Sequence, residues 1–196
     1  MIKTSATGEN PLKKFTVLAL LLLTVGLSGC AAPVVEGAMQ ARDSLRRDGL
    51  EQAAAQGNAK AQYDLGDTYC CAITGQTDSA VSAYDNEKAT YWMCKAAQQD
   101  YAPAAYRLAR IYTGDVVSGV RILRRSAQMI STPQKDNAVA LMWARRAAAQ
   151  NESGASDLAR DISRRATSAE LRRANQLAAD WQSAPCTWSQ VFAAAR

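Results

Sequence analysis

Apolar and small residues recur along this chain at helical spacing. Ala89, Trp92 and Ala96 step by three and four, as do Ala140, Trp143 and Ala147, which puts each set on one helix face. Leu65 and Tyr69 are four apart, and so are Leu108 and Tyr112. The small residues Ala61, Gly66, Ala104 and Ala109 let neighbouring helix backbones approach closely, and the large rings fill what that approach leaves. Gly57 and Gly114 stand where a left-handed C-terminal cap is wanted, and Asp85 and Asp136 where an N-cap is wanted. The pattern predicts helices at about 36–56, 58–71, 86–99, 102–113, 136–150, 153–165 and 167–182, with a last short turn around Val191 and Phe192.

The helices belong to an internal repeat. Ala53-Ala54-Ala55-Gln56 through Tyr63-x-Leu65-x-x-x-Tyr69 recurs as Ala96-Ala97-Gln98-Gln99 through Tyr106-x-Leu108-x-x-x-Tyr112. A preceding element, Ala89-x-x-Trp92-x-x-Lys95-Ala96-Ala97, recurs as Ala140-x-x-Trp143-x-x-Arg146-Ala147-Ala148. A degenerate third copy follows at Gly154 to Ala159. The expected class is all-α, an array of helical hairpins each burying its apolar face on the next. These residues resemble the Sel1-like repeats, relatives of the tetratricopeptide repeat, over about residues 50–181. Glu170-Leu171-x-x-Ala174-x-x-Leu177-Ala178-x-x-Trp181 is similar to the closing helix that follows the last repeat in that family. The resemblance implies a short α/α solenoid, a superhelix of about three repeats whose concave face binds other proteins. The chain departs from the family in its connectors, 72–85 and the long 114–135, which replace a short glycine turn.

Residues 1–29 read as a targeting segment rather than as part of the fold. Lys13 and Lys14 precede the mostly apolar stretch Phe15 to Leu27, which is the length of a signal-peptide core and too short to span a bilayer as a helix. Leu27-Ser28-Gly29-Cys30 resembles the lipobox of bacterial lipoproteins. In that family the Cys thiol is alkylated with diacylglycerol and the chain is cleaved before it, so the resemblance makes Cys30 the lipidated residue. Ala31 and Ala32 follow it, with no adjacent Asp of the kind that retains enterobacterial lipoproteins in the inner membrane. The expected location is the periplasmic side of the outer membrane. The expected organisation is a signal peptide (1–29), a lipidated tether (30–35), the repeat domain (36–182) and a C-terminal tail with Cys186 (183–196).

Composition narrows the chemistry. The chain has 196 residues and no histidine, which removes Ser-His-Asp and Cys-His nucleophile systems and His-ligated zinc. A net charge of +5, with the two signs interleaved, is too mild to suggest nucleic acid. No carboxylate cluster has metal-loop spacing, so neither a metal nor a cofactor is expected. The pairs Asp64/Asp67 and Asp157/Asp161 fall opposite the Leu and Tyr stripe and read as solvated charge. The same holds for the basic runs Arg121/Arg124/Arg125 and Arg160/Arg164/Arg165/Arg172/Arg173, which could otherwise meet anionic headgroups or an acidic partner.

With Cys30 committed to lipid, Cys70, Cys71, Cys94 and Cys186 remain, an even number in an oxidising compartment. Adjacent cysteines on a helix end face about 100° apart. The favoured pairing joins one of Cys70 and Cys71 to Cys94 and the other to Cys186, and it requires a stagger of the first hairpin. The candidates for contact with a partner are Gln62, Asp67, Arg107 and Arg110, off the core stripe of the inner helices, and Tyr91 and Tyr101, out of register with it. The connector Val116 to Ile130, mixed apolar and basic, is a further candidate. No nucleophile–base pair can be assembled, so an enzyme is not expected. Two functions follow: an adaptor or scaffold in a cell-envelope assembly, or an immunity or inhibitor lipoprotein that neutralises a periplasmic effector or hydrolase.

Overall fold

The computed structural model describes residues 37–38, 41–72, 84–115 and 134–193. The chain divides into two units, Met1–Met39 and Gln40–Arg196, and all the helices below belong to the second. Cys30, the targeting segment, the tether, most of both connectors and the Arg121/Arg124/Arg125 run lie outside the described residues. Within them the protein is all-helical: α1 (41–55), α2 (Ala59–Tyr69), α3 (Asn86–Ala97), α4 (Ala102–Tyr112), α5 (Asn137–Ala149), α6 (Ala155–Arg165), α7 (Ser168–Ala179) and the short α8 (Trp188–Phe192).

The helix ends follow from local chemistry. Gly57, at φ 92°, closes α1 with its amide on the Ala54 carbonyl, and the Asn58 amide reaches back to Ala53. The Asn58 side chain then accepts from the Ala61 amide and opens α2. Asp85 caps α3 by accepting from the Lys88 amide, and Asp136 caps α5 by accepting from Ala138 and Val139. Thr167 and Glu170 exchange hydrogen bonds in a capping box at the start of α7. The Glu170 carboxyl is held below the usual carboxylate range, first by the Thr167 amide.

Successive helices pack against one another: α2 on α3, α3 on α4, α4 on α5, and α5 on both α6 and α7. Gly66 is where α2 and α3 come closest, since a Cβ there would stand 2.9 Å from the Ala89 carbonyl oxygen and 2.9 Å from Met93 Cγ. The α5 helix is the centre of the fold, with every residue from Ala138 to Ala144 buried. A helix apolar on all sides needs cover on all sides, and α4, α6 and α7 supply it. By contrast α6 buries only Ala155 and Ile162, and α7 only Ala174. Arg145 on Asn175, Arg173 on Asp136 and Asn137 on Glu170 fix α7 to α5 along its polar edge.

The segment expected as a tail is part of the core. Residues 180–193 fold back onto α3 and α4, burying Ala184, Cys186, Trp188 and Val191. The Trp188 amide donates to Thr90 Oγ1, and the Ser189 amide and hydroxyl donate to the Glu87 carboxylate. The Tyr112 hydroxyl donates to the Cys186 carbonyl, and burial pushes the Tyr112 phenol far above its ordinary value. This fold-back also corrects the expected disulfide pairing. Cys94 bonds to Cys186, with their Cα atoms 5.8 Å apart, and Cys70 bonds to its neighbour Cys71. Cys94 faces the returning C-terminal segment rather than the end of α2, so no stagger of the first hairpin is needed.

Candidate interaction face

Two of the expected contact residues meet across the first two hairpins. Arg107 on α4 donates through Nη2 to Asp67 on α2 at 3.0 Å, joining the leading helices of successive hairpins. The Arg107 side chain is only 12% exposed, and its Nε finds no partner among the described residues. Its guanidinium therefore sits between the helices, with Asp67 the more open member of the pair. Arg110, one turn further along α4, is half-buried and reaches the Asp115 carbonyl oxygen at 3.4 Å.

Around this ion pair lies a short polar and aromatic strip. The rings of Tyr63 and Tyr101 are 5.5 Å apart and tilted, which leaves Tyr101 half-buried rather than standing clear of the surface. Burial raises the Tyr63 phenol above its ordinary value, and the neighbouring Asp67 carboxylate pushes the same way. Asp64 accepts from Lys60 at 2.6 Å, and that hydrogen bond raises the Lys60 ammonium. Farther along, Asp157 and Asp161 pair within α6 to Arg160 and Arg164, as solvated helix-surface charges do.

Gln62 does not belong to this strip. It is 4% exposed, donates to the Ala54 carbonyl oxygen and accepts from Gln99 Nε2 at 2.7 Å. A polar side chain on the helix flank reads as surface, but here α1 covers it, and a buried amide must then be paired. Gln62 is a structural link between α1, α2 and the end of α3, and it is withdrawn as a contact candidate.

Tyr91 is exposed, at 44%, but on the far flank of the first hairpin, away from its expected companions. It packs edge-on against Trp92, with Lys95 over its ring at 5.1 Å. Tyr69 lies nearby against the same small apolar cluster as Trp92, under Arg47 at 4.5 Å and Lys88 at 5.4 Å. Of these residues, Tyr91 is the one whose register marks it as a contact candidate. The spacing of Lys88, Tyr91, Trp92 and Lys95, at three, four and seven, carried the signal for a face with cations at both ends. Among the described residues no group of three or more His, Cys, Asp or Glu side chains could hold a metal ion, and no helix is long and apolar enough to cross a membrane. Comparison with protein-family profiles, with curated proteins and with solved structures finds no match for this chain.

Proposed function

We propose that this protein is an outer-membrane lipoprotein, anchored through Cys30 on the periplasmic side, whose Sel1-like α/α solenoid of about three repeats serves as an adaptor in a cell-envelope assembly. The observation that carries the reading is the Asp67–Arg107 pair. It links the leading helices of two successive hairpins, with Asp64 and Asp67 on one and Arg110 on the other partly open beside it, so that both charge signs lie on the strip. Mixed charge of this kind fixes register and on-rate in protein recognition more than raw affinity. The signal-like segment, the lipobox-like Leu27-Ser28-Gly29-Cys30 and the helical array support the same reading from independent parts of the chain.

Site-specific photo-crosslinking in the cell envelope tests it. A photoreactive residue at Asp64 or Arg110 should trap the same envelope protein, while one at Arg172, on the outer side of α7, should not. Adducts only from the 114–135 connector would make that connector the recognition element and sink the adaptor face. The anchor is tested separately, since Cys30→Ala should move the protein from the membrane fraction to the soluble periplasm.

A further inference from the structure

The flank of the first hairpin away from the Asp67–Arg107 strip carries aromatic rings and cations in alternation. Lys88, Tyr91, Trp92 and Lys95 lie along one side of α3, and Tyr69 and Arg47 border them from α2 and α1. Lys88 Nζ and the Arg47 guanidinium stand over the Tyr69 ring, and Lys95 Nζ stands over Tyr91. Each cation rests on a ring face, where the quadrupole attracts it, and Arg47 also donates to the hydroxyl and carbonyl of Thr68. The carboxylate that reaches these cations is Asp85, 4.0 Å from Lys88, and Lys95 forms no ion pair among the described residues. Beneath the rings the packing is thin: Trp92 and Tyr69 cover the small cluster of Ala54, Ala61 and Leu65.

We propose that this face docks on an anionic phospholipid surface. Amphipathic rings with Lys or Arg beside them are the side chains that settle at headgroup depth, the rings among the glycerol carbons and the cations at the phosphates. The cations are strung out along the face, with Lys88 and Lys95 two turns apart on α3 and Arg47 beside Lys88 at the Tyr69 ring. That spread suits a diffuse layer of negative charge better than an acidic protein segment, which needs converging contacts to fix its register. The length of the chain to the anchor agrees, and here the proposal rests on the lipoprotein reading. From Cys30 to the start of α1 at residue 41 the extended chain reaches at most about 40 Å, a length that lets this flank reach the bilayer. Docked on this flank, the domain would hold one orientation on the membrane.

The test is lysine footprinting of the purified, anchored protein, reconstituted in vesicles of phosphatidylcholine alone or with about a third phosphatidylglycerol. Labelling by a water-soluble amine reagent is read residue by residue. In anionic vesicles at low salt, Lys88 and Lys95 should label about fivefold more slowly than in neutral ones, and high salt should restore them. Lys135, exposed just before α5, should label equally throughout. The double variant Tyr91→Ser/Lys95→Glu should keep its melting temperature and lose the protection of Lys88. Equal labelling of Lys88 and Lys95 in both vesicles overturns the proposal, and so does protection that an acidic envelope protein supplies and lipid does not. Intact mass shows whether Cys30 carries acyl chains. If it does not, the anchor reading fails, and the same footprint on chain added to vesicles still decides the face.

Discussion

In the α4–α5 layer the buried surface is almost wholly hydrocarbon. Leu108, Ile111, Tyr112, Leu141, Met142 and Trp143 are closed off from solvent, and alanines set the spacing between the helices. The α1–α2 layer is built differently. Its fully buried apolar residues are Ala54, Ala61 and Leu65, with Leu50, Ala53, Tyr69 and Trp92 only partly buried against them, and polar links add to this smaller contact. Gln62 bonds to the α1 backbone, and Arg47 bonds to the hydroxyl and carbonyl of Thr68 near the end of α2. The central layer gains from burial, which is roughly proportional to area and insensitive to angle. The edge layer gains from hydrogen bonds, each worth little net but costly to leave unmade. The edge is therefore specified by geometry and easier to open, while the centre keeps the array together when its surface changes.

Trp143→Ala should break the central layer most severely, lowering stability by about 3–5 kcal/mol in a denaturant titration. Trp143 is fully buried against Trp181, whose ring lies 6.1 Å away, edge to face, with Arg146 stacked on the other ring. Trp92, at the matching repeat position, is only partly buried, and Trp92→Ala should cost clearly less. Equal losses at the two tryptophans would mean that the layers do not differ as described.

Replacing Cys94 and Cys186 by Ser comes next, at about 2–4 kcal/mol, since the bond closes a loop with a sequence separation of 92. The C-terminal segment should loosen first, seen as a rise in the solvent quenching of Trp188. The same seam sets an alkaline limit. The folded state keeps the Tyr112 proton that the unfolded chain releases near the ordinary value of 10.0. Stability from this group is intact below that pH and declines as the pH rises past it. Tyr112→Phe should flatten the alkaline decline.

How far the sequence shows these layers depends on the length scale. The caps at Asp85 and Asp136 and the turn at Gly57 are local chemistry, and each sits where its residue type implies. The helix faces follow from the three-four spacing of Ala140, Trp143 and Ala147. What covers a face does not follow from spacing, which gives a direction and no neighbour. Gln62 was misplaced because its partners are the Ala54 carbonyl and Gln99, on other elements. The pairing of Cys94 was missed because its partner arrives through the return of residues 180–193, which no repeat period marks. Of the candidate face, Asp67 and Arg107 were legible as helix positions off the core stripe, but the burial of Arg107 between the helices and its contact with Asp67 across hairpins were not.

Leu65→Ala in the edge layer should cost about 2 kcal/mol, near the lower end for a buried leucine. Its neighbours Ala54 and Ala61 are small, and the polar links of Gln62 and Arg47 remain to hold α1. Amide exchange should show α1 opening in this variant while α5 stays protected. Loss of protection in α5 at the same free energy would show that the edge and the centre unfold as one unit.

The smallest effect is at the pair that joins the two layers. Asp67→Asn, Arg107→Gln and the double variant form a cycle whose coupling should be about 0.5–1 kcal/mol, the upper part of the range for partly exposed pairs. Arg107 is mostly buried, and that strengthens its attraction to Asp67 relative to a fully solvated pair. Asp67 keeps its other side in water, and that limits the gain. Removing Asp67 alone should cost more than removing both partners, because it leaves a mostly buried guanidinium without its carboxylate. Added salt should shrink the coupling only in part. A coupling of zero at low salt would mean that the two leading helices are held by α3 and α4 packing alone. In that case the register of the mixed-charge strip is set from beneath, by the apolar contacts, and Arg107 serves only to hold the partly open Asp67 carboxylate in place.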